Sequence, residues 1–142
     1  MTLDALGELN WLAVLVAAIA YFALGALWYM PFAFGRPWQR AIGWDDARDG
    51  AGASAVTYAA PFLFALVSTI ATALIANATG AADVPAGIGL GLVVGIGYGL
   101  AISAYEAVFD PHKPGPWVWL AISGAYHVVG LTIAAVIVSA WR

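Results

Sequence analysis

The chain has no cysteine, so it can form neither a disulfide nor a metal site built on thiolates. Charge is also scarce, because Asp, Glu, Lys and Arg make up 9% of its 142 residues, against about 25% in an ordinary soluble domain. Hydrophobic residues make up 63%, which is more apolar surface than a soluble core of this size can bury. The net charge of -3 says little about partners. These deficits indicate a membrane protein.

The sequence also lacks the motifs of several enzyme classes. It contains no His-x-x-x-His pair, no glycine-rich loop ending in Lys-Ser or Lys-Thr and no Gly-x-Ser-x-Gly, so metalloprotease, nucleotide-binding and hydrolase functions have no motif support. Asp110 and His112 share a loop, but two ligands are too few for a metal site. No basic stripe indicates nucleic-acid binding. We therefore predict a protein that is not an enzyme and has no cofactor, no metal and no nucleic-acid partner.

Four uncharged, mostly apolar runs lie between the few charged residues, at positions 9–35, 50–82, 84–105 and 114–141. Each is longer than the about 20 residues that a helix needs to cross a bilayer, and in lipid such lengths can satisfy their backbone groups only as helices. We predict an all-α integral membrane bundle that forms one domain over residues 1–142. Its four transmembrane helices are expected at about residues 9–30, 56–79, 86–109 and 117–141.

Local signals define where these helices begin and end. Asn10 is placed to cap the first helix, and Pro31 disfavours helical backbone in the residue before it. The second helix is expected to begin after Ser54 and to end at Gly80. The proline-rich residues 110–116 predict a turn before the fourth helix.

A short interfacial helix is predicted in the first loop. Phe34, Trp38 and Ile42 recur every four residues, while Arg36 and Arg40 lie on another face. That pattern is typical of a helix lying on the membrane surface. The rest of this loop, rich in Asp and Gly, is predicted to be solvated.

Lys and Arg are distributed unequally between the two sides of the predicted bundle. The first and third loops hold Arg36, Arg40, Arg48 and Lys113, whereas the other side has Arg142 alone. The positive-inside rule therefore predicts that both loops lie in the cytoplasm and both termini lie outside. Aromatic residues are common at the two membrane-water interfaces. Those assigned there are Trp11, Trp28, Tyr29, Trp38, Trp117 and Trp141.

The third predicted helix carries a row of small residues at fourfold spacing. Because helices in lipid gain little from hydrophobic burial, small residues that let two backbones approach supply much of their packing. The partner is either another helix of the same chain or a second subunit. Gly89 and Gly97 add small positions on another face, so two neighbours can approach this helix at once, and we predict that it is central to the bundle. We also predict a homo-oligomer that associates through small-residue faces. The helix-packing residues are Gly87, Gly91, Gly95, Gly99 and Ser103, with Gly130 in the fourth helix.

Two ionisable side chains fall within the predicted spans. At 3.6 residues per turn, Glu106 lies in azimuth between Gly95 and Gly99, which predicts that it faces the packed side and not lipid. His127 lies about ten residues into the fourth helix, about 15 Å deep and near the bilayer midplane. The two differ in predicted depth by about 9 Å, which argues against direct contact.

Each of these side chains has a structural and a functional interpretation. Glu106 is either an interfacial carboxylate paired with Lys113, Arg40 or a tyrosine, or part of an ion or proton site. His127 is either held by a hydrogen bond inside the bundle or a proton relay, because imidazole titrates closest to neutrality. The predicted ion or proton site comprises Glu106, His127 and Tyr126.

Three segments resemble the bacterial membrane family catalogued as domain-of-unknown-function family 1761. They are residues 9–29, LNWLAVLVAAIAYFALGALWY; residues 31–44, PFAFGRPWQRAIGW; and residues 124–141, GAYHVVGLTIAAVIVSAW. The resemblance covers essentially the whole chain and implies four transmembrane helices in a bacterial cytoplasmic membrane, but no activity. The family often has Asn and Phe near the end of the third helix, where this chain has Ala104-Tyr105-Glu106.

Function remains divided between two main hypotheses. The first is a small oligomeric transport or permeation protein for a small solute or ion, with Glu106 and His127 in its interior. The second is an accessory or scaffold protein whose polar residues only fix helix packing. A third hypothesis is an intramembrane enzyme. Water-filled continuity between the two side chains favours transport, and a dry bundle favours the scaffold.

Overall fold

The computed structural model describes residues 3–45 and 55–141, and regular structure within them is helical. A 3₁₀ helix covers Leu3–Glu8. The α-helices are α1 (Trp11–Trp28), α2 (Gly35–Ala41), α3 (Ala55–Thr79), α4 (Val84–Phe109) and α5 (Pro116–Ala140). Of these, α1, α3, α4 and α5 are long and apolar enough to cross a membrane. The predicted all-α fold with four candidate spans is confirmed.

Caps and turns explain where several helices begin and end. Asn10 Oδ1 accepts a hydrogen bond from the backbone N–H of Ala13 at 3.1 Å, which is the predicted cap of α1. Gly80 follows α3 with φ of 72°, a left-handed conformation that favours glycine. Asp83 caps α4 by accepting from the N–H of Ala86 at 2.8 Å, a cap that we did not predict. Ser54, Arg48 and Arg142, which entered the sequence predictions, lie outside the described residues.

The central helix of the bundle is α5, which packs against α1, α2, α3 and α4, so the prediction that the third helix is central is wrong. Small and β-branched residues let these helices approach, as in the core formed by Val14, Ala17, Ala73, Ala134 and Val138. In contrast, α3 and α4 make few contacts with each other, although a short turn joins them. A cleft between these two helices is the result.

The contact between α4 and α5 depends on glycine. An ideal Cβ added to Gly91 would lie 2.4 Å from Thr132 Cα, and one added to Gly89 or Gly97 would meet no heavy atom within 4 Å. Backbone approach of this kind leaves no room for a side chain. The glycines facing α5, where an added Cβ would lie 2.4–2.8 Å from the nearest α5 atom, are Gly87, Gly91, Gly95 and Gly99.

The middle of α4 is a π-helix over Gly95–Leu100. In an α-helix, residues four apart step by about 40° around the axis, so the row from Gly87 to Ala107 would drift by about 200°. The i→i+5 bonding of a π-helix gives a smaller rotation per residue, which offsets this drift. Ser103 and Ala107 are buried, like Gly87. The same rotation moves Glu106 out of the packed face. Its side chain is exposed, so the prediction that it faces the packed side is wrong.

The short helix α2 forms within the segment where a short helix was predicted. Its Gly35 and Ala41 are buried, and the ring of Trp38 contacts that of Tyr29 with centroids 5.2 Å apart. The helix also packs on α5. Trp38 therefore faces the bundle, and the location of α2 at a membrane surface stays a prediction.

Candidate functional site

A hydrogen bond between α1 and α5 joins Tyr21 and His127. The Tyr21 hydroxyl lies 2.6 Å from His127 Nδ1, and the Tyr21 side chain is buried. No hydrogen bond from the described residues occupies Nε2 of the same imidazole. The tyrosine thus fixes the orientation of the ring through one nitrogen and leaves the other available.

Aromatic rings surround this pair on the side of Tyr126. Its ring centroid lies 5.2 Å from that of Tyr21, 5.4 Å from that of Tyr29 and 4.9 Å from that of His127. The Tyr126 hydroxyl lies 3.5 Å from the carbonyl oxygen of Tyr21, to which it donates, and that of Tyr29 lies 3.4 Å from Ser123 Oγ. Such tilted and edge contacts stabilise aromatic clusters and limit ring movement.

A cavity of about 450 Å³ occupies the cleft between α3 and α4. Glu106 and His127 both line it, together with Tyr21 from α1 and Trp119 from α5. Its volume is in the usual range for small-molecule sites, about 300–1,000 Å³. The structure therefore brings Glu106 and His127 to one cavity without a hydrogen bond between them.

A second cavity of about 360 Å³ adjoins the first. Tyr21, Ser68, Trp119 and His127 line both cavities, whereas Tyr126 lines only the second. The Tyr21–His127 pair is thus a shared wall between the two spaces. Of the three residues predicted to form one site, two share the first cavity and the third faces its neighbour.

No cation among the described residues pairs with Glu106, and its carboxylate makes no hydrogen bond to them. Lys113 pairs instead with Asp110, and its Nζ lies 4.4 Å from the centroid of the Trp119 ring. The bond from Lys113, together with the backbone N–H of His112, holds the pKa of the Asp110 carboxyl below its ordinary value. The pairing of Glu106 with Lys113 considered from sequence is not formed.

The other predicted residues are distributed over the bundle. Gly130 lies in α5 against the Tyr21 ring. Trp28 donates from Nε1 to the carbonyl oxygen of Ile122 at 3.1 Å, which ties the end of α1 to α5. The three remaining tryptophans assigned to membrane interfaces have exposed side chains, and they are Trp11, Trp117 and Trp141.

Sequence reasoning missed Tyr21, Tyr98 and Trp119 as cavity residues. Tyr21 had a detectable signal, since it is a hydroxyl-bearing side chain about 15 Å into the first helix, at a depth comparable to that of His127. No signal in the sequence distinguished Tyr98 or Trp119, because aromatic residues are common throughout apolar helices. Within residues 3–45 and 55–141, no three side chains of His, Asp or Glu converge as metal ligands.

Comparison with known proteins identifies the family. The family described as "Protein of unknown function (DUF1761)" matches residues 12–139, which include nearly all of α1 and α5 and the whole of α2, α3 and α4. No curated protein and no solved structure matches the chain. The residues that line both cavities all lie within the matched range. The chain therefore belongs to the DUF1761 family of proteins of unknown function.

Proposed function

We propose that the protein is a small membrane transport or permeation protein whose polar interior is formed by Glu106, His127 and Tyr126. The observation that carries this proposal is the cavity of about 450 Å³ lined by both Glu106 and His127. An ionisable side chain within a membrane span is costly, about 2.5–3.5 kcal/mol at the helix centre, and usually serves a solute or proton pathway. Two of them at one cavity support such a pathway.

The geometry around His127 supports a role beyond packing. Tyr21 occupies Nδ1, so the imidazole is held in place while Nε2 can exchange a proton with a solute or with water in the cavity. Imidazole is the side chain whose unperturbed pKa is closest to neutrality, which suits it to carry protons under physiological conditions. Because His127 borders both cavities, a change in its hydrogen bonding alters the wall of each cavity.

We place the chain in a bacterial cytoplasmic membrane with both termini outside, because Arg36, Arg40, Arg48 and Lys113 all lie in the first and third loops. We also propose a homo-oligomer. The support is the outer face of α4, where an added Cβ at Gly89 or Gly97 would meet nothing within 4 Å. Crosslinking in native membranes tests this part separately.

The test is flux in proteoliposomes. Glu106→Gln and His127→Gln keep size and much of the hydrogen-bonding capacity, so both should leave the bundle folded and change a pH-dependent flux of protons or inorganic cations. The matched controls are Asp4→Asn and His112→Gln, because Asp4 lies in the N-terminal 3₁₀ helix and His112 in the last loop, both exposed. These controls should behave as the wild type does.

The second candidate is a scaffold protein, which the glycine contacts of α4 with α5 favour. In that case the hydrogen bond from Tyr21 to His127 serves only to join helices. Liposomes that carry the wild type and show no flux above empty liposomes, with lower melting temperatures for both site variants, would select the scaffold.

A further inference from the structure

We propose that the cavity between α3 and α4 binds an organic cation with an apolar body. This inference rests on the proposed function, since it names the class of solute that the cavity takes. The first observation that supports a cation is the charge of the residues at the cavity. Glu106 brings a carboxylate that forms no ion pair and no hydrogen bond with the described residues, whereas the charge of nearby Lys113 is offset by Asp110. With a neutral His127, the formal charge lining the cavity is negative.

Two of the hydroxyl groups that line the cavity, those of Thr72 and Ser103, also favour a cation. Thr72 Oγ1 donates to the carbonyl oxygen of Ser68 at 2.8 Å, and Ser103 Oγ donates to that of Gly99 at 2.9 Å. Their protons are therefore committed to the backbone, and what they offer to the cavity is oxygen lone pairs. An anion needs donors that these groups no longer supply.

Aromatic rings provide further recognition of positive charge. Tyr21, Tyr98 and Trp119 line the cavity, and the faces of such rings attract cations. The ring of Trp119 already holds one cation, since Lys113 Nζ lies 4.4 Å from its centroid. A quaternary ammonium group suits a site of this kind, because it needs no hydrogen-bond acceptor.

The remaining walls accept an apolar body. Ile75, Val94, Ile102 and Leu131 also line the cavity and have apolar side chains. Tyr98 is 63% exposed and Ile102 is 58% exposed, so the wall that α4 contributes is open to the outside of the bundle. An amphipathic cation can therefore enter sideways between α3 and α4, with its apolar part remaining in contact with the lipid phase.

The experiment measures binding of benzyltrimethylammonium to the full chain in detergent by equilibrium dialysis, with protein-free micelles as the blank. Benzylsulfonate has a similar body and the opposite charge. We expect saturable binding of the cation and none of the anion. Glu106→Gln should weaken cation binding at least about tenfold, because it removes the charge without changing the shape. Asp4→Asn, which removes an exposed carboxylate far along the chain, should leave binding unchanged.

A second pair of variants tests the aromatic wall. Tyr98→Leu should weaken cation binding about threefold or more. Tyr105→Leu is its matched control, because Tyr105 lies on the same helix with 65% exposure but does not line the cavity. Equal binding of cation and anion, or unchanged binding in both Glu106→Gln and Tyr98→Leu, would overturn the inference. Proton or inorganic-ion flux that depends on Glu106 would then still support transport, so the two proposals fail separately.

Discussion

The ring of Tyr21 occupies the space that a side chain at Gly130 would need. An ideal Cβ on Gly130 would lie 2.1 Å from Tyr21 Cε2, so the tyrosine ring lies directly against the backbone of α5 at this glycine. The same tyrosine carries the hydroxyl that lies 2.6 Å from His127 Nδ1. The absence of a side chain at Gly130 thus allows Tyr21 to orient the imidazole of His127, which lies about one turn earlier in the same helix.

Gly130→Ala should displace Tyr21 and break its hydrogen bond to His127. Overpacking of a tight helix contact costs about 1–3 kcal/mol, so we expect a lower melting temperature in detergent, measured by circular dichroism. Gly89→Ala is the matched control, because its added methyl group meets no heavy atom within 4 Å. This control should be neutral or stabilising by up to about 1 kcal/mol, since alanine is the better helix former. Equal destabilisation by both variants would contradict the assigned contact.

Gly95→Leu should separate α4 from α5 at the start of the π-helix. An ideal Cβ there would already lie 2.8 Å from Val128 Cα, and backbone cannot yield as a flexible side chain does. We expect a loss of at least about 2 kcal/mol or failure to fold. Gly89→Leu faces open space and should change thermal melting far less. Similar melting of the two variants would show that the glycine row is not the dominant contact of α4.

The predicted orientation can be tested with single cysteines, because the native chain has none. Asp4→Cys and His112→Cys place a thiol on opposite sides of the bundle, and the His112 side chain is 92% exposed. If the termini are outside, a membrane-impermeant maleimide should label the first variant in intact cells and the second only after permeabilisation. The reverse pattern would place the termini in the cytoplasm.

Lys113→Gln should raise the pKa of Asp110 towards the ordinary carboxyl range. The bond from Lys113 is the largest cause of the lowered pKa, and the backbone N–H of His112 is the next. A lowered carboxyl pKa stabilises the fold above the unfolded-state value, about 4, and this contribution is lost as the pH falls through the lower folded-state value. In the variant this contribution should therefore be smaller, and its loss should be complete at a higher pH. Carbon NMR of labelled aspartate measures the shift, and His112→Asn, which keeps the backbone donor, should produce a smaller one.

Sequence predicted the helices well because their signals are local. The long apolar runs, the cap at Asn10 and the glycine after α3 each depend on residues close in the chain. The position of Glu106 did not follow from the sequence, because its azimuth was counted on a uniform helix of 3.6 residues per turn. The π-helix at Gly95–Leu100 breaks that count. The fourfold spacing sustained from Gly87 to Ala107 was the available sign that α4 is wound more loosely than an ideal α-helix.

The cavity itself was beyond prediction for a different reason. It exists because α3 and α4 make few contacts after their turn, which depends on how both pack against α5. The bond from Tyr21 to His127 likewise joins residues 106 positions apart. A sequence indicates which side chains are polar and at what depth they lie, but not which helices leave space between them.

The π-helix in α4 has a consequence for how this site can change over evolution. Because a π segment accommodates one extra residue over nearly the same rotation as an α-helix, deleting a single residue from Gly95–Leu100 should restore α-helical winding without turning the last part of α4. Ser103 would still face α5, and Glu106 would still line the cavity. The carboxylate can thus keep its place when this segment gains or loses one codon, whereas the same change elsewhere in α4 would turn it by about 100°.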